Sequence, residues 1–174
     1  MHSSPDSTMQ TDIRAIMDAL RRLVQALRLS SRAAETRLGI SGAQLFVLQR
    51  LAERPAQAIR DLADRTFTHQ SSVSVIVKRL ADRRLLARKR SPDDGRRVEI
   101  VLTPAGRSLI RRVPQTPQAQ ITAALRRLPT AQRQALARSL MVLARDMGLD
   151  DPAPALFFED RRPAKRRQRK PAHE

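Results

Sequence analysis

The chain has no cysteine, no tryptophan and no tyrosine, and only four phenylalanines in 174 residues. Without cysteine there are no disulfides, thiolate metal sites or thiol redox switches. Histidine is nearly as scarce: His2, His69 and His173 are too far apart in sequence to read as an imidazole cluster for a metal or for nucleophilic catalysis. No nucleophile, base and orienter come together in any motif, so neither an enzyme nor a cofactor is expected. No apolar run approaches the roughly 20 residues needed to span a bilayer. The opening "MHSSPDSTMQ" is polar and reads as a loose tail, not as a signal peptide. The expectation is a cytoplasmic protein with no membrane partner. With so few aromatic rings the chain lacks the stacking platforms of single-strand binders, so among nucleic acids duplex DNA is favoured.

What the sequence has in excess is positive charge. Lys plus Arg number 34 against 17 Asp plus Glu, a formal net charge of +17. Such a balance selects polyanions or acidic surfaces as partners and says nothing about fold. The charge is concentrated. From Arg65 to Arg97 ten basic residues face three acidic ones, Asp82, Asp93 and Asp94, a net of +7. A second basic block, "DRRPAKRRQRKPAHE", ends the chain, and its proline, charge and lack of apolar residues read as disorder.

Hydrophobic spacing supplies the scaffold. Ile13, Ile16, Leu20, Leu23 and Leu27 recur at spacings of three and four, which predicts an amphipathic helix over residues 12–30. A second helix opens at "ISGAQL", where Ser41 and Gln44 form a capping box with Ile40 as staple, and it stops before Pro55. A short third helix, "AIRDLADRT", places Ile59, Leu62 and Ala63 on one face. "LLARKR" and "RVEIVL", joined by "SPDDG", read as a hairpin with arginine at its tip. Leu102, Thr103 and Pro104 start another helix, and Pro114 and Pro117 predict a break before "AQITAALRRL". The last helix, after Pro129 and Thr130, is expected to bury Leu136, Leu140, Leu143 and Met147 and to end at Gly148.

Between the third helix and the hairpin lies "THQSSVSVIVKRL", residues 68–80, whose valines favour a strand by propensity. A strand would leave Ile76 exposed or Lys78 buried. As a helix it puts Val73, Ile76, Val77 and Leu80 on one face, with Gln70, Ser71, Ser74 and Lys78 opposite and Thr68 as the cap. Period overrides propensity. Slim hydrogen-bonding side chains on the free face suit entry into the DNA major groove, and a free helix start attracts phosphate. Two short helices at a tight turn followed by a basic hairpin give a winged helix-turn-helix order.

In the join of "LADRTFTHQSSVSVIVKRLADRRLL" to "RKRSPDDGRRVEIVLTPAG" the sequence resembles the MarR-type transcriptional regulators, over roughly residues 12–148. The resemblance implies a mainly α fold with a small β-hairpin wing, its winged helix-turn-helix domain flanked by N- and C-terminal dimerisation helices. The division expected is a disordered tail over 1–11, a dimerisation helix and linker over 12–40, the DNA-binding domain over 41–102, dimerisation helices over 103–148 and a basic tail over 149–174. In the family the wing-tip aspartate orients an arginine that enters the minor groove, a pattern matched here by Asp94, Gly95 and Arg96. Arg83 and Arg84 stand where many members carry a charged residue and glycine.

The DNA-contacting set expected is Thr68, His69, Gln70, Ser71, Ser74, Lys78, Arg79, Arg88, Arg90, Asp94, Arg96 and Arg97. His69 reads equally well as a phosphate or base contact and as a surface residue packed beside Phe67. By resemblance a second chain is the partner of Ile13, Ile16, Leu20, Leu23, Leu27, Leu136, Leu140 and Leu143, although the same stripes fit an intrachain core. The family also implies a small aromatic or anionic effector bound between the dimer arms and the winged domain.

The function expected is a sequence-specific, double-stranded DNA-binding regulator, a ligand-responsive repressor acting as a homodimer on a near-palindromic operator. The alternative is an architectural, nucleoid-type DNA binder, with affinity from counterion release. Replacing Arg96 by alanine is expected to weaken DNA binding by roughly 1 to 3 kcal/mol while the protein stays folded. Asp94→Ala should do milder damage, because it frees the arginine without removing its charge. Paired Kd and thermal-melt measurements check both, and unchanged DNA affinity of Arg96→Ala would sink the wing assignment.

Overall fold

The computed structural model describes residues 5–90, 98–149 and 157. In chain order it has α1 (Pro5–Leu38), α2 (Gly42–Glu53), α3 (Ile59–Thr66), α4 (Gln70–Asp82), β1 (Leu86–Arg90), β2 (Val98–Leu102), α5 (Pro104–Arg111), α6 (Pro117–Arg127) and α7 (Thr130–Asp146). The mainly helical fold with one antiparallel hairpin is the architecture that the sequence pattern requires.

Two boundaries differ from expectation. α1 runs 34 residues, not the stretch 12–30. Residues 5–11 are helix and not loose tail, and most of the expected linker is helix as well. The polar segment "PDSTMQT" has no apolar period to reveal it. It does have a proline at the first helical position and Asp6 in the first turn, both of which favour helix initiation.

The core gathers around α2. Phe46, Val47 and Leu48 have no exposure and Leu45 2%, and Leu62, Val73, Ile76 and Leu80 close over them with none. α2 begins as predicted, with the Ser41 hydroxyl accepting from the Gln44 amide and the Gln44 side chain accepting from Ser41 N–H at 3.0 Å. The hairpin completes this body. Its strands pair from Leu86 opposite Leu102 to Arg90 opposite Val98. Ala56, in the α2–α3 connection, adds a one-residue bridge to β2: its N–H donates to the Ile100 carbonyl at 3.0 Å and its carbonyl accepts from Ile100 N–H at 2.7 Å.

The predicted break at Pro114 and Pro117 is a full interruption. α5 stops at Arg111 and α6 restarts with Thr116 as cap. The Gln49 side-chain amide clamps the break, donating to the Pro114 carbonyl at 2.9 Å and accepting from Thr116 N–H at 3.1 Å. α7 ends where glycine allows: Gly148 has φ +68, and Leu149 N–H returns to the Ala144 carbonyl at 2.8 Å. Its apolar residues, however, are left partly exposed by the described residues. Leu136 is 39% exposed, Leu140 47%, Leu143 43% and Met147 62%, so an intrachain core does not account for that stripe.

The junction between hairpin and α5 is tight. Thr103 caps α5 and its hydroxyl donates to the Arg84 carbonyl at 2.7 Å, while Thr103 N–H donates to the Leu85 carbonyl at 3.1 Å. The approach needs a glycine, since a Cβ on Gly106 would sit 2.0 Å from the Leu85 carbonyl oxygen. Alanine normally exceeds glycine in a helix by up to about 1 kcal/mol. Here the sign should invert. Gly106→Ala is expected to lower stability by about 1 to 3 kcal/mol, the cost of overpacking a close contact. Urea unfolding checks it, and a neutral or stabilised variant would refute the junction as described.

Candidate nucleic-acid interface

The turn between α3 and α4 is built from three residues. Phe67 takes a left-handed conformation at φ 53 as the C-cap of α3, Thr68 N–H bonds back to the Ala63 carbonyl at 3.1 Å, and His69 is the N-cap of α4. The expectation that Thr68 caps α4 is therefore corrected by one residue. The left-handed Phe67 turns the chain early, and His69 reaches the cap position with no side-chain bond to the helix. Helix geometry leaves the first amides of α4 without an intrahelical partner, and a side-chain cap does not fill them. That is an arrangement suited to a phosphate.

Along α4 the exposed residues are Gln70, Ser71, Ser74, Val75 and Lys78, followed by Ala81 and Asp82 at its end, with Arg79 half-buried at one edge. The opposite side, Val73, Ile76, Val77 and Leu80, is core. The predicted polar face is thus brought together on one surface. Thr68 is half-buried, and His69 is exposed and shares a cleft with Phe67. On the hairpin Arg88 and Arg90 flank Lys89, which stands opposite Glu99 in the register, and all three basic residues are exposed. Asp94, Arg96 and Arg97 lie outside the described residues.

Two arginines of the basic cluster are not free for DNA. The Arg65 side chain is only 12% exposed, and its guanidinium donates to the backbone carbonyls of Arg50, Arg54 and Pro55 at the end of α2 while facing Asp61 at 3.7 Å. Burial, and after it the neighbouring Arg54 charge, holds its pKa below the usual arginine value, against the pull of Asp61. Arg83 does similar work on α1, donating to the carbonyls of Gly39 and Leu38 just where Gly39 turns the chain at φ +64. Cations at helix C-termini satisfy orphan carbonyls and oppose the negative end of the dipole. No local pattern in the sequence distinguishes these two from the arginines expected to face DNA.

Arg84 takes up the left-handed conformation itself at φ 57, so α4 ends at Asp82 and the position often held by glycine in the family is filled here by a strained arginine. A contact that sequence reading missed joins the turn to the C-terminal helices: the Arg126 guanidinium of α6 lies 5.5 Å from the centre of the Phe67 ring. Beside it opens a cleft of about 860 Å³, bounded by the α3–α4 turn, α6 and α7.

A slim polar helix face presented by a tight helix-turn-helix, with a basic hairpin packed beside it, defines a winged helix-turn-helix DNA-binding module. Residues 38–97 match the pattern that defines the MarR family. Over 98 residues the chain is 30% identical to the HTH-type transcriptional repressor MdtR of Bacillus subtilis, an alignment covering 56% of this chain and 61%, less than two thirds, of that protein. It is 28% identical over 127 residues to the HTH-type transcriptional repressor Mb2911 of Mycobacterium bovis, covering 73% of this chain and 91% of the relative. A MarR family protein from Bacillus stearothermophilus shares the fold with a TM-score of 0.50 at 22% identity, over 80% of this chain and 97% of that one. Residues 38–97 carry the pattern of the MarR family of transcriptional regulators, and the relatives matched are transcriptional repressors, not enzymes.

The internal role of Arg65 makes a prediction that separates it from its neighbours. Arg65→Met should cost about 2 to 3 kcal/mol of stability, the scale of hydrogen bonds made by a charged group. Chemical denaturation checks it. Were Arg65 instead a phosphate contact, the variant would keep its stability and lose only salt-dependent DNA affinity.

Proposed function

We propose that this chain is a cytoplasmic repressor that binds a near-palindromic operator in double-stranded DNA as a homodimer and responds to a small ligand. The observation that carries the reading is the free face of α4, where Gln70, Ser71, Ser74 and Lys78 stand exposed beside the basic strand β1 on a helix anchored from behind. Side chains of that size and hydrogen-bonding type reach base edges in the major groove. Arg88 and Arg90 on the hairpin and the open start of α4 supply phosphate contacts that fix register without reading sequence.

The homodimer is supported by what the chain leaves bare. Ile13 is 49% exposed, Ile16 55% and Leu23 46%, Leu20 is half-buried, and on α7 Leu136, Leu140 and Leu143 are equally uncovered. Leu27 differs from the rest: at 7% exposure it is buried by its own chain, although the stripe groups it with the seam. A helix of 34 residues, about 51 Å long at 1.5 Å per residue, cannot keep such a stripe in water without cost. Two copies placing these faces together would set two α4 helices side by side for one operator.

The effector reading is supported by the cleft of about 860 Å³. Phe67, Leu125 and Phe157 give it an apolar wall and Arg126 and Arg133 a cationic one, a lining suited to an aromatic anion. Leu136 and Leu140 line it too, so the partner chain and the ligand compete for or share the same side chains.

The architectural alternative draws on the charge of +17, and one experiment separates the two. Selection from a random duplex pool should enrich a two-fold symmetric sequence, bound at physiological salt at least roughly a thousandfold more tightly than scrambled duplex. A ratio near one would establish the architectural binder instead. In the same assay Leu140→Glu should abolish cooperative operator binding and sediment as monomer or aggregate, because the charge lies in an apolar seam. A wild-type protein that sediments as a well-folded monomer overturns the dimer.

A further inference from the structure

Val75 belongs neither to the core nor to the polar set of α4. It is 43% exposed, while Val73 has no exposure and Val77 4%. At about 100° per residue, the direction opposite Val73, Ile76, Val77 and Leu80 falls between Ser71 and Val75, and Val75 lies only about 30° from it. Ser74 is about twice as far away. Ser71 lies nearer still and Lys78 about as near on the other side, so an isopropyl group stands within the face offered to the groove, with Ser71 one turn before it and Lys78 three residues after.

A β-branched residue there has no local justification. Valine is a poorer helix former than alanine, serine serves solvent better, and the described residues leave Val75 43% exposed. Base edges in the major groove offer hydrogen-bonding groups and one prominent apolar feature, the C5-methyl of thymine. Ser71, Ser74 and Lys78 around Val75 hold the hydrogen-bonding positions, which leaves the valine to meet that methyl. We propose that Val75 is a specificity-determining residue that packs against the C5-methyl group of a thymine at one fixed position in each half-site.

The proposal rests on the DNA-reading assignment of α4 and adds a base identity to it. Opposite cytosine, Val75 meets no methyl group and an amino donor it cannot satisfy. The preference for thymine thus has two sources, methyl packing that only thymine offers and a polar group that cytosine would leave unpaired.

Deoxyuridine removes the methyl and leaves the pairing and hydrogen-bonding edge of thymine intact. In the selected duplex each thymine is replaced in turn by deoxyuridine, and Kd is measured at fixed salt for the wild-type protein and for Val75→Ala. One position per half-site should weaken wild-type binding about three- to tenfold, the scale of one or two methyl contacts. Val75→Ala should bind the thymine duplex more weakly by a similar factor and be indifferent to uracil at that position. The variant should melt no lower than wild type, since the side chain is outside the core and alanine favours helix. If no uracil position weakens the wild type, or if Val75→Ala keeps the wild-type thymine-to-uracil ratio, the contact does not exist. A protein that selects no sequence at all overturns the operator reading and this inference together, whereas a selected operator without a Val75-dependent uracil effect overturns this inference alone.

Discussion

The surface proposed to meet DNA depends on how firmly the other side of α4 is held. Val73, Ile76 and Leu80 are fully enclosed and Val77 nearly so, against the Phe46 region of α2 and against α3. Each such burial contributes about 1.5 to 3 kcal/mol. Turning the helix by one residue, about 100°, would bring those side chains into water and push serine and lysine into the core. No alternative rotation competes. The groups facing outward are thereby fixed by the groups facing inward, although none of the outward ones contributes much to stability.

Charge is divided between two tasks by the same geometry. Where a helix C-terminus of this body lies within reach of an arginine, the guanidinium is drawn in: Arg65 covers the end of α2 and Arg83 the end of α1. Lys78, Arg88, Lys89 and Arg90 remain at the surface. The basic cluster is thus partly a set of internal fasteners. The net charge of the segment overstates what a phosphate backbone meets.

Much of the fold is legible in the sequence because it is encoded locally. The capping box at Ser41 and Gln44, the i, i+3, i+4, i+7 spacing within residues 68–80 and the interruption at Pro114 and Pro117 each span less than about three turns. The candidate site is legible for the same reason, since the face of α4 follows from its period. Features made through space are not legible. The Ala56–Ile100 bridge joins residues 44 positions apart, and Gln49 reaches Pro114 across 65. The placement of Thr68 fails on a smaller scale: a left-handed Phe67 shifts the cap to His69, and phenylalanine carries no signal for that conformation. The first turns of α1 are missed because they have no apolar stripe and are helical by continuity with the amphipathic stretch that begins at Ile13.

The two hydrogen bonds between Ala56 and Ile100 have a mechanical meaning. They tie the loop ahead of α3 to the centre of β2, and the Leu85 and Arg84 carbonyls bind the other end of the hairpin to Thr103. The described strands are therefore joined to the helix pair through β2 into one piece, and the base of the hairpin is fastened to the start of α5. On the proposed reading, the bridge resists a change in the angle between α4 and the hairpin when the spacing or bend of a DNA site changes. Accommodation has to come from the connections outside that piece, the end of α1 at Gly39 and the interrupted stretch between α5 and α6. On that reading, specificity for DNA shape becomes a property of those two joints, far in sequence from the residues proposed to touch a base.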